Sequence, residues 1–202
     1  MLHFDAVPAQ VAELLMQLAP RPCLAGFRLA GGTSLALRFS HRLSVDLDFF
    51  TTGSFDPEEL YLDLALPEAV VVARSEGTLS LDAGGTKLDF LRHAYPLIEE
   101  PEETDGVHLL SVPDVAAMKL NAIANRGSKK DFFDLCELMK RHSLEEMLGF
   151  FESKYRNSDR FIVLRSLAWF DDAESEPDPL SKNGLTWTEA KDRIARSLRE
   201  LR

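Results

Sequence analysis

Apolar residues recur along the chain at two different periods, and the change of period divides it into two parts. In the first part, helical spacing over residues 8–19 is followed by a short strand, a Gly-Gly turn and a short helix. The predicted strands lie at 27–30, 43–50, 70–75, 78–83 and 86–91, and the predicted helices at 8–19, 33–39 and 57–66, the last capped by Asp56.

From Ser111 onward the period is helical. Ser111 and Asp114 form a capping-box-like start, and Ser128 with Asp131 repeats it for the next helix. Further helices are predicted over 144–155, 158–170 and 186–201. The pattern therefore predicts an α+β chain, with a core of strands and helices over residues 1–108 and a helical region over 109–202.

Composition narrows the function classes. The 202 residues are 45% apolar, enough for a sizeable core, and contain no apolar run long enough to cross a bilayer. The N-terminus lacks the features of a signal peptide, so we expect a cytoplasmic protein with no membrane partner. Two cysteines are too few for a disulfide framework or a zinc cluster.

Net charge bears on nucleic-acid binding. The formal charge of -10 argues against broad affinity for nucleic acid, because phosphate neutralisation requires clustered Lys and Arg. A local basic cluster is nevertheless predicted from five neighbouring residues: Arg126, Lys129, Lys130, Lys140 and Arg141.

Two carboxylates interrupt an otherwise apolar strand. Asp46 and Asp48 are two apart, so on a strand they share one face, while Val45, Leu47 and Phe49 are expected to face the core. Two like charges this close require a cation or protons, and oxygen ligands favour Mg²⁺ or Mn²⁺. An isolated Asp-x-Asp is more often an ordinary polar strand face, and that alternative stays open on these residues alone.

Two further features change the balance. Gly31, Gly32 and Thr33 lead into a helix N-terminus, where backbone N–H groups favour a phosphate, although such a pair is often only a turn. Asp89 lies in another predicted strand and would complete the acidic trio that two metal ions require.

Two longer motifs resemble a known family. The segment AGGTSLALRFSHRLSVDLDFF resembles the first motif of the AbiEii/AbiGii toxin family of minimal nucleotidyltransferases, and DVAAMKLNAIANRGSKKDFFDL is similar to its later signature. The resemblance implies a polymerase-β-like core with a mixed sheet, and a helical region over 109–202 that completes the nucleotide cleft. The implied activity is metal-dependent transfer of a nucleotidyl group from a nucleoside triphosphate to an acceptor hydroxyl. It also implies a toxin-type role, either in phage defence by abortive infection or in a type IV toxin–antitoxin pair with a cognate antitoxin as partner. RNA, such as a tRNA acceptor end, is one acceptor that it implies, and a protein hydroxyl is the alternative.

The resemblance implies roles for individual residues. Asp46 and Asp48 would bind both metal ions and Asp89 would complete the catalytic metal site. The terminal phosphates would lie on Gly31, Gly32 and Thr33.

Other nucleotide contacts are implied for Arg42, Ser44, Lys119, Lys130, Asp131 and Asp134. Of these, Lys119 would reach the triphosphate, and Arg42 would pair either with a carboxylate or with substrate. Lys130 read alone is equally a solvated residue of a first helical turn, and Asp131 a capping residue.

Two alternatives compete with this interpretation. The segment VDLDFFTTG also resembles the nucleophile loop of haloacid-dehalogenase-type phosphatases, with Asp46 as nucleophile, but Phe49 and Phe50 would obstruct such a site. A non-catalytic nucleotide- or RNA-binding module of the same fold is the other alternative, although all three acids are present.

Overall fold

The computed structural model describes residues 1–201, within which there are seven strands, nine α-helices and two short 3-10 helices. The strands are β1 (Arg28–Leu29), β2 (Leu47–Thr51), β3 (Ala69–Ser75), β4 (Thr78–Ala83), β5 (Thr86–Arg92), β6 (Glu102–Thr104) and β7 (Val107–Leu109). The helices are α1 (Ala9–Leu18), α2 (Gly31–Phe39), α3 (Pro57–Leu64), α4 (Val112–Asn125), α5 (Lys129–Leu138), α6 (Leu144–Lys154), α7 (Arg160–Leu167), α8 (Asp171–Glu174) and α9 (Trp187–Glu200). No helix within residues 1–201 has the length and apolar character needed to cross a bilayer.

All seven strands form one mixed sheet in the order β3-β4-β5-β2-β1-β7-β6. The central strands β2 and β5 are parallel, and their register sets Asp48 opposite Asp89 and Phe50 opposite Leu91. Side chains alternate between faces along a strand, so these four residues share one face of the sheet. The α+β fold with a mixed sheet, predicted from the sequence, is confirmed.

The buried apolar residues form two hydrophobic clusters. One cluster packs α1 and α3 against the strand residues that alternate with the acids, including Leu47, Phe49, Leu88 and Phe90. The other joins α4, α5, α6, α7 and α9 in the helical part of the chain. The exact division at residue 108 stays a prediction.

Several helix starts follow from the capping residues identified in the sequence. Asp56 accepts hydrogen bonds from the backbone N–H groups of Glu58 and Glu59 at 2.8 and 3.0 Å, and Ser111 caps α4. Ser128 does not cap α5 through its side chain, which donates instead to Glu176. The capping role predicted for Ser128 is therefore wrong.

The remaining differences concern strand and helix boundaries. β2 begins at Leu47, so Asp46 precedes the strand, and Val45 is 54% exposed where the alternation predicts a buried residue. The hairpin of β6 and β7 lies in and beside an acidic run that carries no strand signal. β6 forms an edge of the sheet, where exposed acidic side chains are tolerated.

Candidate functional site

A cleft of about 450 Å³ lies between the acidic face of the sheet and helix α4. Ten polar or glycine residues line one end of it: Gly31, Gly32, Arg42, Ser44, Asp46, Asp48, Lys87, Asp89, Lys119 and Lys130. Nine of these ten residues were predicted from the sequence as carboxylate or nucleotide contacts. The tenth, Lys87, was not among the predicted site residues.

The three carboxylates reach this cleft from two neighbouring strands and the segment before one of them. Burial raises the pKa of Asp48; Lys119 opposes this, whereas Asp89 and Asp46 reinforce it. Asp89 is 8% exposed, and its Oδ1 atom is buried with no hydrogen-bond partner within residues 1–201. Burial and the neighbouring acids therefore disfavour the charged form of Asp48, while one oxygen of Asp89 has no donor.

Lysines contact two of the acids. Lys87 Nζ donates to Asp89 Oδ2 at 2.5 Å, and Lys130 Nζ lies 3.4 Å from Asp46 Oδ2. Within residues 1–201 no three Asp, Glu, His or Cys side chains are already arranged as a metal-binding group. The carboxylates are nonetheless oxygen donors of the kind Mg²⁺ and Mn²⁺ prefer, and the unpartnered Asp89 oxygen fits such an ion. The chemistry of these donors therefore fits a divalent cation, and the metal site stays a prediction.

Helix α2 points its N-terminus at the same carboxylates. It begins at Gly31 rather than Thr33, and Ala30 at the N-cap supplies no side-chain hydrogen bond, so its first N–H groups remain available to a ligand. Gly31 has φ of 64°, and a Cβ atom there would collide with Asp48 Oδ2. Only glycine both adopts this left-handed backbone readily and lacks the Cβ atom, which explains why a glycine stands at the start of α2.

Thr33 and Ser44 support the segment that carries Asp46. Thr33 Oγ1 lies 2.8 Å from Ser44 Oγ and donates to the Asp46 carbonyl oxygen. Thr33 is buried and does not line the cleft, whereas Ser44 does. The structure therefore places Thr33 behind the predicted phosphate site, where it orients the backbone.

A buried ion network lies behind the opposite wall. Asp134, which is fully buried, accepts hydrogen bonds from Arg42 Nε at 2.6 Å and Nη2 at 2.9 Å and from His41 Nε2 at 2.7 Å. It also pairs with Lys119 Nζ at 2.5 Å. Burial alone would raise the pKa of Asp134, but Arg42, Lys119 and His41 outweigh it and hold that pKa well below 3.8.

Asp131 extends the network. Its carboxylate accepts from Lys119 Nζ at 2.8 Å and from Arg126 Nε at 2.9 Å. Burial opposes ionisation of Asp131, yet Lys119 and Arg126 lower its pKa. Neither Asp131 nor Asp134 lines the cleft. Asp131 pairs with Lys119 and Arg126, and Asp134 pairs with Lys119 and Arg42. Of the two roles expected for Arg42, the pairing with a carboxylate is the one observed.

The basic cluster expected for a polynucleotide is dispersed. Lys129 is 4% exposed, and its Nζ donates to Asp178 Oδ1 at 3.0 Å. Lys140 and Arg141 both pair with Glu137. The prediction of a five-residue basic cluster is therefore wrong, because neighbourhood in the sequence does not reveal these acidic partners. Arg126 and Lys130 still line the cleft.

The other end of the cleft is aromatic, and motif reasoning missed it. Phe50, His93 and Tyr155 line it together with Leu91 and Met118. Phe50 could have been found, since it follows Asp48 by two residues on the same strand face. His93 and Tyr155 carry no local signal, because they meet only through the tertiary fold.

A family model and a related protein both match this chain. The family model described as nucleotidyl transferase AbiEii toxin, type IV TA system, matches residues 13–96 and 71–200. The uncharacterized protein aq_aa25 of Aquifex aeolicus (strain VF5) is 41% identical over 157 residues, which cover 74% of this chain and 76% of that protein.

Two solved structures share the fold. One, from H. pylori and provisionally assigned there as a nucleotidyltransferase, has a TM-score of 0.62 at 15% identity, covering 96% of this chain and 95% of its own. The antibiotic-resistance factor ANT(2'')-Ia has a TM-score of 0.55 at 16% identity, covering 77% of this chain and 95% of its own. At these identities the likeness establishes the polymerase-β-like fold.

Proposed function

The chain belongs to the AbiEii family of nucleotidyltransferase toxins, and on that premise we propose that it transfers a nucleotidyl group from a nucleoside triphosphate to an acceptor hydroxyl with the help of Mg²⁺ or Mn²⁺. One observation carries the proposal: the unpartnered Asp89 oxygen lies beside Asp48, whose pKa is raised by burial and by the neighbouring acids, in front of the α2 N-terminus. A triphosphate and a divalent cation together satisfy all three features.

Asp46, Asp48 and Asp89 would hold the metal. When bound, the metal lowers the pKa of the attacking hydroxyl and stabilises charge on the departing phosphate oxygens. Lys87 and Lys130 contact two of these acids, and we propose that both lysines donate instead to the phosphates of a bound triphosphate.

The remaining residues bind and orient the triphosphate. The N–H groups of Gly31 and Gly32 donate to its terminal phosphates, and Lys119, fixed by its buried carboxylates, contributes a cation whose position does not change. The acceptor oxygen forms a bond to the α-phosphorus while the bond to the bridging oxygen breaks. Pyrophosphate departs, and the hydroxyl proton passes to the Asp89 carboxylate.

We propose an RNA 3′ end, such as a tRNA acceptor end, as the acceptor, and a toxin role countered by a cognate antitoxin. The type IV toxin–antitoxin description of the family supports the biological role. Arg126 supports an RNA acceptor, since it is an exposed cation on the cleft wall of an otherwise acidic protein. The family match also sets aside the phosphatase alternative.

A thermal-shift series tests the proposal. A ligand at one hundred times its Kd stabilises by about 2.7 kcal/mol, which for a chain of this size raises Tm by about 5–11 °C. We expect this shift with Mg²⁺ and at least one triphosphate, and its loss in Asp89→Asn. Asp192→Asn, an exposed acid on α9, is the matched control and should keep it.

An equal shift in EDTA, or in Asp89→Asn, would contradict the metal-dependent site. A metal-dependent shift without any transfer to RNA or protein would favour the non-catalytic binding module.

A further inference from the structure

The aromatic end of the cleft is built from three rings, and the His93 ring contacts the other two. Phe50 meets His93 edge-on with ring centroids 5.7 Å apart, and His93 meets Tyr155 in the same manner at 5.8 Å. The Tyr95 ring packs behind this group, with its centroid 4.7 Å from the ring centroids of both His93 and Tyr155, and does not line the cleft. Flat rings in a concave site are suited to stacking with another flat ring.

The polar atoms at this end are uncharged. Burial, reinforced by Lys154 and opposed by Asp114, lowers the pKa of His93 to about 4, so its imidazole is neutral at pH 7. His93 Nε2 lies 3.1 Å from the hydroxyl of Tyr155, a residue only 3% exposed. That bond occupies one ring nitrogen and leaves the other for a ligand. A neutral, hydrogen-bonding aromatic pocket favours a heterocycle over a phosphate.

The distance from the carboxylates matches the size of a nucleotide. Phe50 follows Asp48 by two residues on β2, which corresponds to about 6.5–7 Å along the strand. Across the cleft, α4 presents the side-chain amides of Asn121 and Asn125. A nucleotide whose phosphates lie at the charged end would therefore bring its base to the aromatic end of the same cavity.

We propose that Phe50, His93 and Tyr155 form the binding site for the nucleobase of the donor triphosphate. This inference rests on the proposed function, since it assumes that the triphosphate lies at the α2 N-terminus. Phe50 supplies the stacking face, and His93, held by Tyr155, supplies a neutral polar edge that contributes to the choice of base.

The test compares ligands that differ only in the base. Kd values are measured by calorimetry in Mg²⁺ for ribose 5′-triphosphate and for ATP, GTP, CTP and UTP. Stacking on an aromatic side chain is typically worth enough for about a tenfold gain in affinity. We therefore expect at least one nucleotide to bind about tenfold more tightly than the baseless ligand.

Variants locate the effect. Phe50→Leu keeps apolar volume but removes the ring, so it should bring the ratio of the two Kd values close to one without changing the Kd of ribose 5′-triphosphate. Phe161→Ala, on a residue 68% exposed on α7, is the matched control and should leave the ratio unchanged.

Each outcome separates this inference from the proposed function. If ribose 5′-triphosphate binds and no nucleotide binds more tightly, the nucleobase site is refuted while the phosphate site stands. A ratio that survives both Phe50→Leu and Tyr155→Phe would place the base elsewhere. If neither the nucleotides nor the baseless ligand binds, the proposed function fails as well.

Discussion

Replacing Asp134 with Asn should destabilise the protein strongly although Asp134 lies outside the cleft. The change removes the negative charge that faces Arg42, Lys119 and His41 in the interior. Lys119 retains Asp131, but Asp134 is the one carboxylate within residues 1–201 that pairs with Arg42. The variant therefore leaves a buried guanidinium without its counter-ion.

The expected size follows from that loss. Breaking a buried ion pair by removing one partner costs about 3–5 kcal/mol. At roughly 2–4 °C per kcal/mol for a chain of this size, Tm should fall by about 6–20 °C. Calorimetry or circular dichroism at pH 7 measures this directly. Glu145→Gln is the control, because it breaks the exposed pair with Arg160 and should leave Tm nearly unchanged.

The pH dependence gives an independent check. In the unfolded chain Asp134 protonates near 3.8, whereas in the folded protein its pKa lies well below that value. The stabilisation by the ionised group is therefore complete above about pH 4 and declines as pH falls below 3.8. The Tm difference between wild type and Asp134→Asn should follow that course. A difference below about 2 °C at pH 7 would refute the argument, since it corresponds to at most about 1 kcal/mol.

Three further outcomes are expected. Gly31→Ala should lower the free energy of unfolding by at least about 1–2 kcal/mol, because the backbone at residue 31 is left-handed. Calorimetry should then detect no triphosphate binding. The control Gly149→Ala, at a residue with open space around it, should change neither quantity. Lys130→Ala should change the free energy of unfolding by less than about 1 kcal/mol because its ion pair is exposed, but should weaken triphosphate binding several-fold; unchanged binding would remove it from the site. An NMR titration of His93 should give a midpoint near 4. Because the unfolded chain takes up this proton near pH 6.5, the free energy of unfolding should decrease as pH falls from 6.5 toward 4. A midpoint near 6.5 would contradict the buried, neutral imidazole.

The elements of the fold were predictable where local chemistry determines them. Asp56 and Ser111 cap helices because their side chains reach the first N–H groups of those helices, a purely local interaction. The β6–β7 hairpin was not predictable from its residues, because β7 is held by pairing with β1, about eighty residues away in sequence. Strand pairing of this kind overrides weak local propensity.

In the candidate site, too, the residues with a local sequence pattern were predictable and those that depend on tertiary contacts were not. Gly31 and Asp48 carry a strong local pattern, and the structure brings them into contact distance of one another. Lys129 looked available in sequence, yet it is buried against Glu176 and Asp178 from a later loop. The aromatic residues His93 and Tyr155 meet from separate parts of the chain. Contacts between residues far apart in the chain could therefore not be predicted from local sequence patterns.

Label transfer tests the central claim most directly. The protein is incubated with Mg²⁺, total RNA and total cell protein, and with each nucleoside triphosphate labelled either at the α- or at the γ-phosphate. The proposed reaction predicts that the α-label becomes attached to RNA while the γ-label is released as pyrophosphate, and that Asp48→Asn abolishes both. Attachment of the α-label to protein alone would refute the RNA acceptor. Transfer of the γ-label, or undiminished transfer by Asp48→Asn, would contradict nucleotidyl transfer at this site.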